Sequence, residues 1–270
     1  MYYTRIGEKR NETTRRACLS TTLLAAMITL VMGVAAPGCW AEDDDNEIPF
    51  AVASIFFELN DTDGDLGIHA LIDGEPWKKL EIETPKGREI LDISVRGRLR
   101  RQGLTEIFFE SAEPVFGDLP PEVFFRRFPE GIYEIEGITI DGQELENTAL
   151  VTHVMPAPPD NITLSGIPAA EDCDAISLPV VSEHVIIRWD PVTESHPEIG
   201  KQGPIEVVKY QVVVEQVELG VVLNVDLPPY ITELEIPVGF TALGEEFKFE
   251  ILVREASGNQ TAVESCFVIE

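Results

Sequence analysis

The stretch Val185-Ile186-Ile187-Arg188-Trp189-Asp190-Pro191 sets Val185, Ile187 and Trp189 on one face of an extended strand. Two later runs answer it. Lys209-Tyr210-Gln211-Val212-Val213-Val214 and Glu246-Phe247-Lys248-Phe249-Glu250-Ile251-Leu252-Val253 alternate apolar and polar residues with the period of two that marks a strand buried on one side. Val208, Tyr210, Val212 and Val214 are expected on one inner face, and Phe247, Phe249, Ile251 and Val253 on another. The three runs read as the inner strands of a β-sandwich, and the class they predict is all-β.

Working outward, Pro158-Pro159-Asp160-Asn161-Ile162-Thr163-Leu164 precedes them, residues 231–236 supply another short strand, and Ala256-Ser257-Gly258-Asn259 makes a turn into a last strand at 262–269. In that order the residues from 158 to 270 resemble a fibronectin type III domain. Trp189 stands at the place of the family's core tryptophan, and the prolines resemble its entry to the first strand. Two features depart from the pattern. Phe247 replaces the usual corner tyrosine, and the connections 169–183 and 190–204 are long. The resemblance implies binding through loops at the end of the sandwich. Glu194 and His196 in the 190–204 connection, with Ser257 and Asn259 in the turn, are the candidate binding residues there.

Upstream, Met155-Pro156-Ala157-Pro158-Pro159-Asp160 reads as a stiff linker and a domain boundary. Before it, residues 48–156 break into short strands at 51–59, 68–72, 77–82, 89–95, 105–110, 131–140 and 144–153, with a helical turn over 121–128. Asp73-Gly74 and Asp141-Gly142 are hairpin signals. The expectation is two antiparallel β-sandwich domains in series, 48–156 and 158–270.

Three features of the first domain carry chemistry. Asp61-Thr62-Asp63-Gly64-Asp65-Leu66-Gly67 resembles the start of a calcium loop, with Asp61, Asp63 and Asp65 as alternate carboxylates. Leu66 stands where the sharp-turn glycine belongs and Ile72 where a bidentate Glu belongs, so an acidic turn between strands is the competing reading. Arg96, Arg98 and Arg100, with Arg101 beside them, fall on one strand face if the strand extends that far, and guanidinium groups there suit an anionic ligand or acidic partner. Cross-strand pairing with Glu106 and Glu110 is the alternative. Phe124-Phe125-Arg126-Arg127-Phe128 could serve a carbohydrate or protein surface, and the competing reading is the core-facing side of a helical turn.

The N-terminus reads as an address. Basic Lys9-Arg10 and Arg15-Arg16 precede an apolar run over 17–36, and small residues close it. Thr14-Arg15-Arg16-Ala17-Cys18-Leu19 resembles a twin-arginine export signal. Gly38-Cys39 resembles the end of a lipobox, which makes Cys39 a lipidation candidate and a membrane tether. Cleavage after Ala41 and an uncleaved anchor are the alternatives. Each exports the chain, to the periplasm, to the outer membrane as a lipoprotein, or to the exterior. Residues 42–47 follow as an acidic tether.

Cys173 and Cys266 are the cysteines of the globular part. In an exported chain the pair is expected as a disulfide, closing a loop of roughly 90 residues and contributing on the order of 4 kcal/mol. The chain carries a formal charge of −28; residues 1–41 hold five Lys/Arg and two Asp/Glu, so their removal takes it to −31. Such a charge repels phosphate backbones and argues against nucleic-acid binding. The four histidines are scattered, and no nucleophile elbow, zinc pattern or phosphate loop occurs. The expected function is non-catalytic: an envelope or extracellular binding and adhesion module with a protein or polysaccharide partner at the cell surface. The alternatives are a structural spacer in an envelope assembly and a calcium-dependent β protein; no cofactor besides calcium is suggested.

Overall fold

A computed structural model describes residues 47–270, and it is all-β. Cys39, the expected export signal and all but the last residue of the expected acidic tether lie outside the described residues. Glu47 itself opens a strand. In chain order the elements are β1 (Glu47–Pro49), β2 (Val52–Asn60), β3 (Asp65–Glu83), β4 (Glu89–Ser94), α1 (Leu99–Gln102), β5 (Leu104–Glu110), α2 (Pro121–Arg127), β6 (Gly131–Thr139) and β7 (Glu144–Val151). There follow β8 (Thr163–Leu164), β9 (Ile167–Pro168), β10 (Val180–Val181), β11 (Ile186–Arg188), β12 (Val207–Gln216), β13 (Val221–Leu227), β14 (Glu233–Glu235), α3 (Val238–Thr241), β15 (Glu246–Glu255) and β16 (Gln260–Ile269).

These elements enclose two hydrophobic cores. The first gathers Ile55, Phe57 and Leu59 of β2, Leu66, Ile68, Ile72, Trp77 and Leu80 of β3, and Phe124 and Phe125 of α2. The long strand β3 serves both sides of this core. Its first half lies between β2 and β5 and its second half between β6 and β4, with register shifts around Trp77. Asp73-Gly74 is therefore no hairpin. Gly74 stays within the strand because the Phe50 ring packs on it, where an added Cβ would meet Phe50 Cδ1 at 2.9 Å. Asp141-Gly142 does turn, with Gly142 at φ 92° between β6 and β7. Tyr133 of β6 is wholly buried and donates its hydroxyl to the Pro129 carbonyl at 3.1 Å, the corner bond whose absence from Phe247 the sequence indicates for the second half. Burial pushes the Tyr133 phenol up to about 12.

The second core packs Leu164, Val185, Ile187 and Ile236 against Tyr210, Val212, Val214, Phe247, Phe249, Ile251, Val253 and Phe267. A small sheet, β14-β11-β8-β9, covers one side of it; β13, β12, β15 and β16 cover the other. Trp189 meets Tyr210 edge-on at 5.3 Å between ring centroids, and Tyr210 Oη accepts the Val192 N–H at 2.8 Å. Val208 departs from expectation: a bulge between Val207 and Lys209 turns it outward, and Val207 packs against the core instead.

The two halves share a sheet. β16 pairs parallel with β2 (Gln260↔Glu58 to Ala262↔Asn60), so one sheet runs β1-β7-β6-β3-β2-β16-β15-β12-β13. The described residues, 47–270, fall in one compact unit. The proline-rich stretch between the halves is no free spacer. Met155 and Pro156 are buried, the His196 N–H donates to the Met155 carbonyl at 2.7 Å, and Thr261 Oγ1 donates to the Pro156 carbonyl at 2.7 Å.

Candidate functional site

The loops expected at the binding end are folded into the joint between the two cores. Asn259 accepts the Phe57 N–H at 2.9 Å through Oδ1, and its Nδ2 donates to the Thr152 and Val154 carbonyls at 3.0 and 2.9 Å. Ser257 Oγ lies 3.3 Å from Thr152 Oγ1 and bonds Glu255. His196 is buried; its Nε2 meets Asp61 Oδ1 at 2.9 Å, and its Nδ1 accepts the Glu198 and Ile199 N–H groups. The Glu194 side chain is exposed, while its carbonyl accepts the Ala157 N–H at 2.9 Å. His196, Ser257 and Asn259 are thus committed to the chain's own backbone and side chains and do not present an open rim. The physical reason is β2 lying beside β16, which places the first core directly under that end of the second.

Asp61, Asp63 and Asp65 do not converge. Asp61 faces His196. Asn60 Oδ1 accepts the Thr62 and Asp63 N–H groups, and Asn60 Nδ2 donates to Asp63 Oδ2 at 3.2 Å, an Asx-type turn. Asp65 lies on the outer face of the shared sheet, close enough to Asp63 to feel its charge. There it joins Glu58 of β2, Glu113, Glu250 of β15 and Glu264 of β16. Glu250 and Glu264 sit directly opposite each other across the strand pair. Burial, together with Glu58 and Glu264 nearby, lifts Glu250 to about 7; burial with Glu113 and Asp63 lifts Asp65 to about 6; burial also raises Glu58. Partial compensation comes from His69, whose Nε2 is 2.8 Å from Glu113 Oε1, from Lys248 at 2.6 Å from Glu264, and from Gln260, which donates to Glu58. Glu58, Glu113, Glu250 and Glu264 escape a reading of the sequence, because they meet through a parallel pairing between residues about two hundred positions apart. Elsewhere, Glu81, Glu89 and Asp92 bring carboxylate oxygens within 4.8 Å of one another on the outer surface of β3 and β4.

The arginines occupy a loop and not a strand face. β4 ends at Ser94, and Arg96, Arg98, Arg100 and Arg101 run through an exposed connection that includes α1. Among the described residues, none of the four forms an ion pair within 4.0 Å, with Glu106, Glu110 or any other carboxylate. Lys79, Arg188, Lys201, Lys209 and Lys248 all do. The aromatic group Phe124, Phe125 and Phe128 packs inward against Phe57, as its helical spacing implies.

Two further features bear on partners. β13 closes one edge of the shared sheet, a strand absent from the reading of the sequence. It is paired on one side by β12, and Leu219, Val221 and Val222 on and beside it are 59, 41 and 54% exposed. Cys173 and Cys266 are joined, tying the 169–183 excursion to β16. Among the described residues no helix is long and apolar enough to cross a membrane.

The class these strands define is an all-β protein whose second half has the fibronectin type III-like, immunoglobulin-like sandwich. No family model matches the chain, and no curated protein matches it. Among solved structures it is similar to the chicken CNTN1 FN1-FN3 domains, at 9% identity, a TM-score of 0.31, and coverage of 83% of this chain and 65% of that one. It is similar also to a two-domain fibronectin type III segment of chicken tenascin, at 10% identity, a TM-score of 0.27, and coverage of 80% and 97%. A third is a 1.5-MDa bacterial ice-binding adhesin, whose structure concerns host cell surface retention, at 10% identity, a TM-score of 0.24, and coverage of 83% and 66%. The chain thus spans about two thirds of the first and third of these. The sandwich assignment rests on the strand order of the second half itself.

Proposed function

We propose that the chain is an exported, non-catalytic binding and adhesion module that takes up a protein partner along β13. One observation carries this reading: β13 offers an unpaired backbone edge with exposed apolar side chains on both faces, Val221 on one and Val222 on the other, and Leu219 in the turn before it, on an otherwise acidic protein. Soluble proteins usually shield such an edge with charge, proline or a covering segment, and partners that add a strand use it when it is left open. The backbone supplies affinity, and alternate side chains supply selectivity. The joint between the cores supports the same reading, since it holds β13 at a fixed position relative to the N-terminal half.

The test uses tagged residues 42–270, captured from the chain's own envelope fraction, alongside a Leu219→Lys/Val222→Lys double variant. Both side chains are more than half exposed, so the variant is expected to fold. A stoichiometric protein partner, lost at least tenfold in the variant, with slowed amide exchange over 221–227 in the complex, is the expected result. Capture that the double variant leaves unchanged, or retention on glycans alone, removes strand addition as the mode.

A further inference from the structure

We infer that residues 96–101 form a contact surface for an anionic membrane, on the end of the fold where the N-terminal segment enters. The inference rests on the exported reading proposed above, with the N-terminal segment tethered at a membrane, and is independent of the β13 partner.

Charge gives the first argument. Residues 42–270 hold fifteen Lys and Arg, and four of them fall within 96–101. Among the described residues none of these four has a carboxylate within 4.0 Å, and all four side chains are exposed. Exposed charges interact only over about a Debye length, roughly 8 Å at physiological salt. The large negative charge of the remote body therefore subtracts little from the local field of the loop. Asp73, Glu75 and Glu81 of β3, Asp92 of β4, Glu106 of β5 and Asp141 of the β6–β7 turn are acidic groups on the adjoining strands and turn; Lys78 and Lys79 add positive charge.

Position gives the second. The registers Glu47↔Glu144, Ile138↔Glu144, Lys79↔Ile138 and Lys79↔Ser94 form one row across β1, β7, β6, β3 and β4. β1 runs inward from this row and β4 runs outward to it. The chain thus enters the fold at Glu47 and leaves for Arg96 at the same end of the sheet, four strand spacings apart, or about 19 Å. Glu47 and the arginine loop therefore share one end of the sheet.

Chemistry gives the third. Guanidinium groups pair phosphate oxygens in bidentate fashion, and each cation near an anionic leaflet favours binding by roughly fivefold. Leu99, 47% exposed among the arginines, adds an apolar contact of the kind that settles into the headgroup region. A soluble polysaccharide would find the same charges, but it has no need of a loop beside the chain entry.

Residues 42–270, which contain all the described residues of the compact unit, are mixed with phosphatidylcholine vesicles with and without phosphatidylglycerol. Binding to the anionic vesicles alone is expected. An Arg96→Gln/Arg98→Gln/Arg100→Gln/Arg101→Gln variant should lose at least ~10-fold in affinity and part of the salt dependence. Arg126→Gln/Arg127→Gln, on exposed α2 positions, should change it little. Equal binding by the quadruple variant overturns the inference. So does retention on a uronate or sulfate polysaccharide with no vesicle binding, and so does vesicle binding that emerges only after Asp43, Asp44 and Asp45 are changed to Asn, which would assign the loop to the chain's own tether. The β13 double variant leaves every arm of this assay unaltered, so the two proposals fail separately.

Discussion

Asn259 is 1% exposed, and its amide serves three backbone groups of the other half: the Phe57 N–H and the Thr152 and Val154 carbonyls. No local feature of Ala256-Ser257-Gly258-Asn259 announces this, since a turn residue is usually read as a surface residue. Truncation strands one buried donor and two acceptors, each of which carries its own desolvation cost. Asn259→Ala is expected to cost about 3 kcal/mol, read as a lowered urea midpoint with unchanged slope. Asn259→Asp keeps the acceptor for Phe57 but sets a buried carboxylate against the Thr152 and Val154 carbonyls, so it should cost at least as much. A midpoint equal to wild type would show the amide to be dispensable. Trp189 and Tyr210 behave oppositely: their alternation with polar neighbours is a burial signal, and both are buried.

At the scale of elements, what could be read from the chain is what its own period encodes. β12, β15 and the inward residues of β11 follow directly from alternation, as does α2 from the spacing of its phenylalanines. What could not be read depends on distant neighbours. Gly74 has the sequence of a turn and the role of a close approach to Phe50. Arg96, Arg98 and Arg100 have strand spacing but lie past the end of β4, because Val95 is the last residue there to find a partner, Lys78. The Cys173–Cys266 bond links the excursion before β10 to β16 across 93 residues. On the loop-entropy account it contributes about 4 kcal/mol, so Cys173→Ser should lower the unfolding free energy by that order. Dithiothreitol should lower the wild-type midpoint and leave the variant unaffected; an equal response from both would detach stability from the bond.

Across the whole molecule, the outer face of the shared sheet concentrates like charge. Glu58, Asp65, Glu113, Glu250 and Glu264 come from both halves, with His69, Lys248, Arg254 and Gln260 among them and Glu110 near Glu58. Glu250 at about 7 and Asp65 at about 6 lie above their ordinary values of 4.5 and 3.8. The folded state therefore holds more protons than the unfolded chain between those limits. Stability is reduced above the raised values and recovered as pH falls through them. Thermal unfolding should occur at higher temperature near pH 5.5 than near pH 8, by roughly a few degrees, and Glu250→Gln should raise the pH 8 value and flatten the profile. A Glu250→Gln profile parallel to wild type would place the proton uptake elsewhere.

The parallel pairing of β2 with β16 also has a consequence in time. A chain synthesised from its N-terminus presents β2 about two hundred residues before the strand that covers β2's open edge. The first half can collapse around Phe57 and Trp77, but the Phe57 N–H waits for Asn259, 202 residues later. Closing so long a loop is slow, and an uncovered edge in the interval invites wrong partners. Loss of β16 would therefore leave β2 uncovered, and the first half would fail through damage to the second.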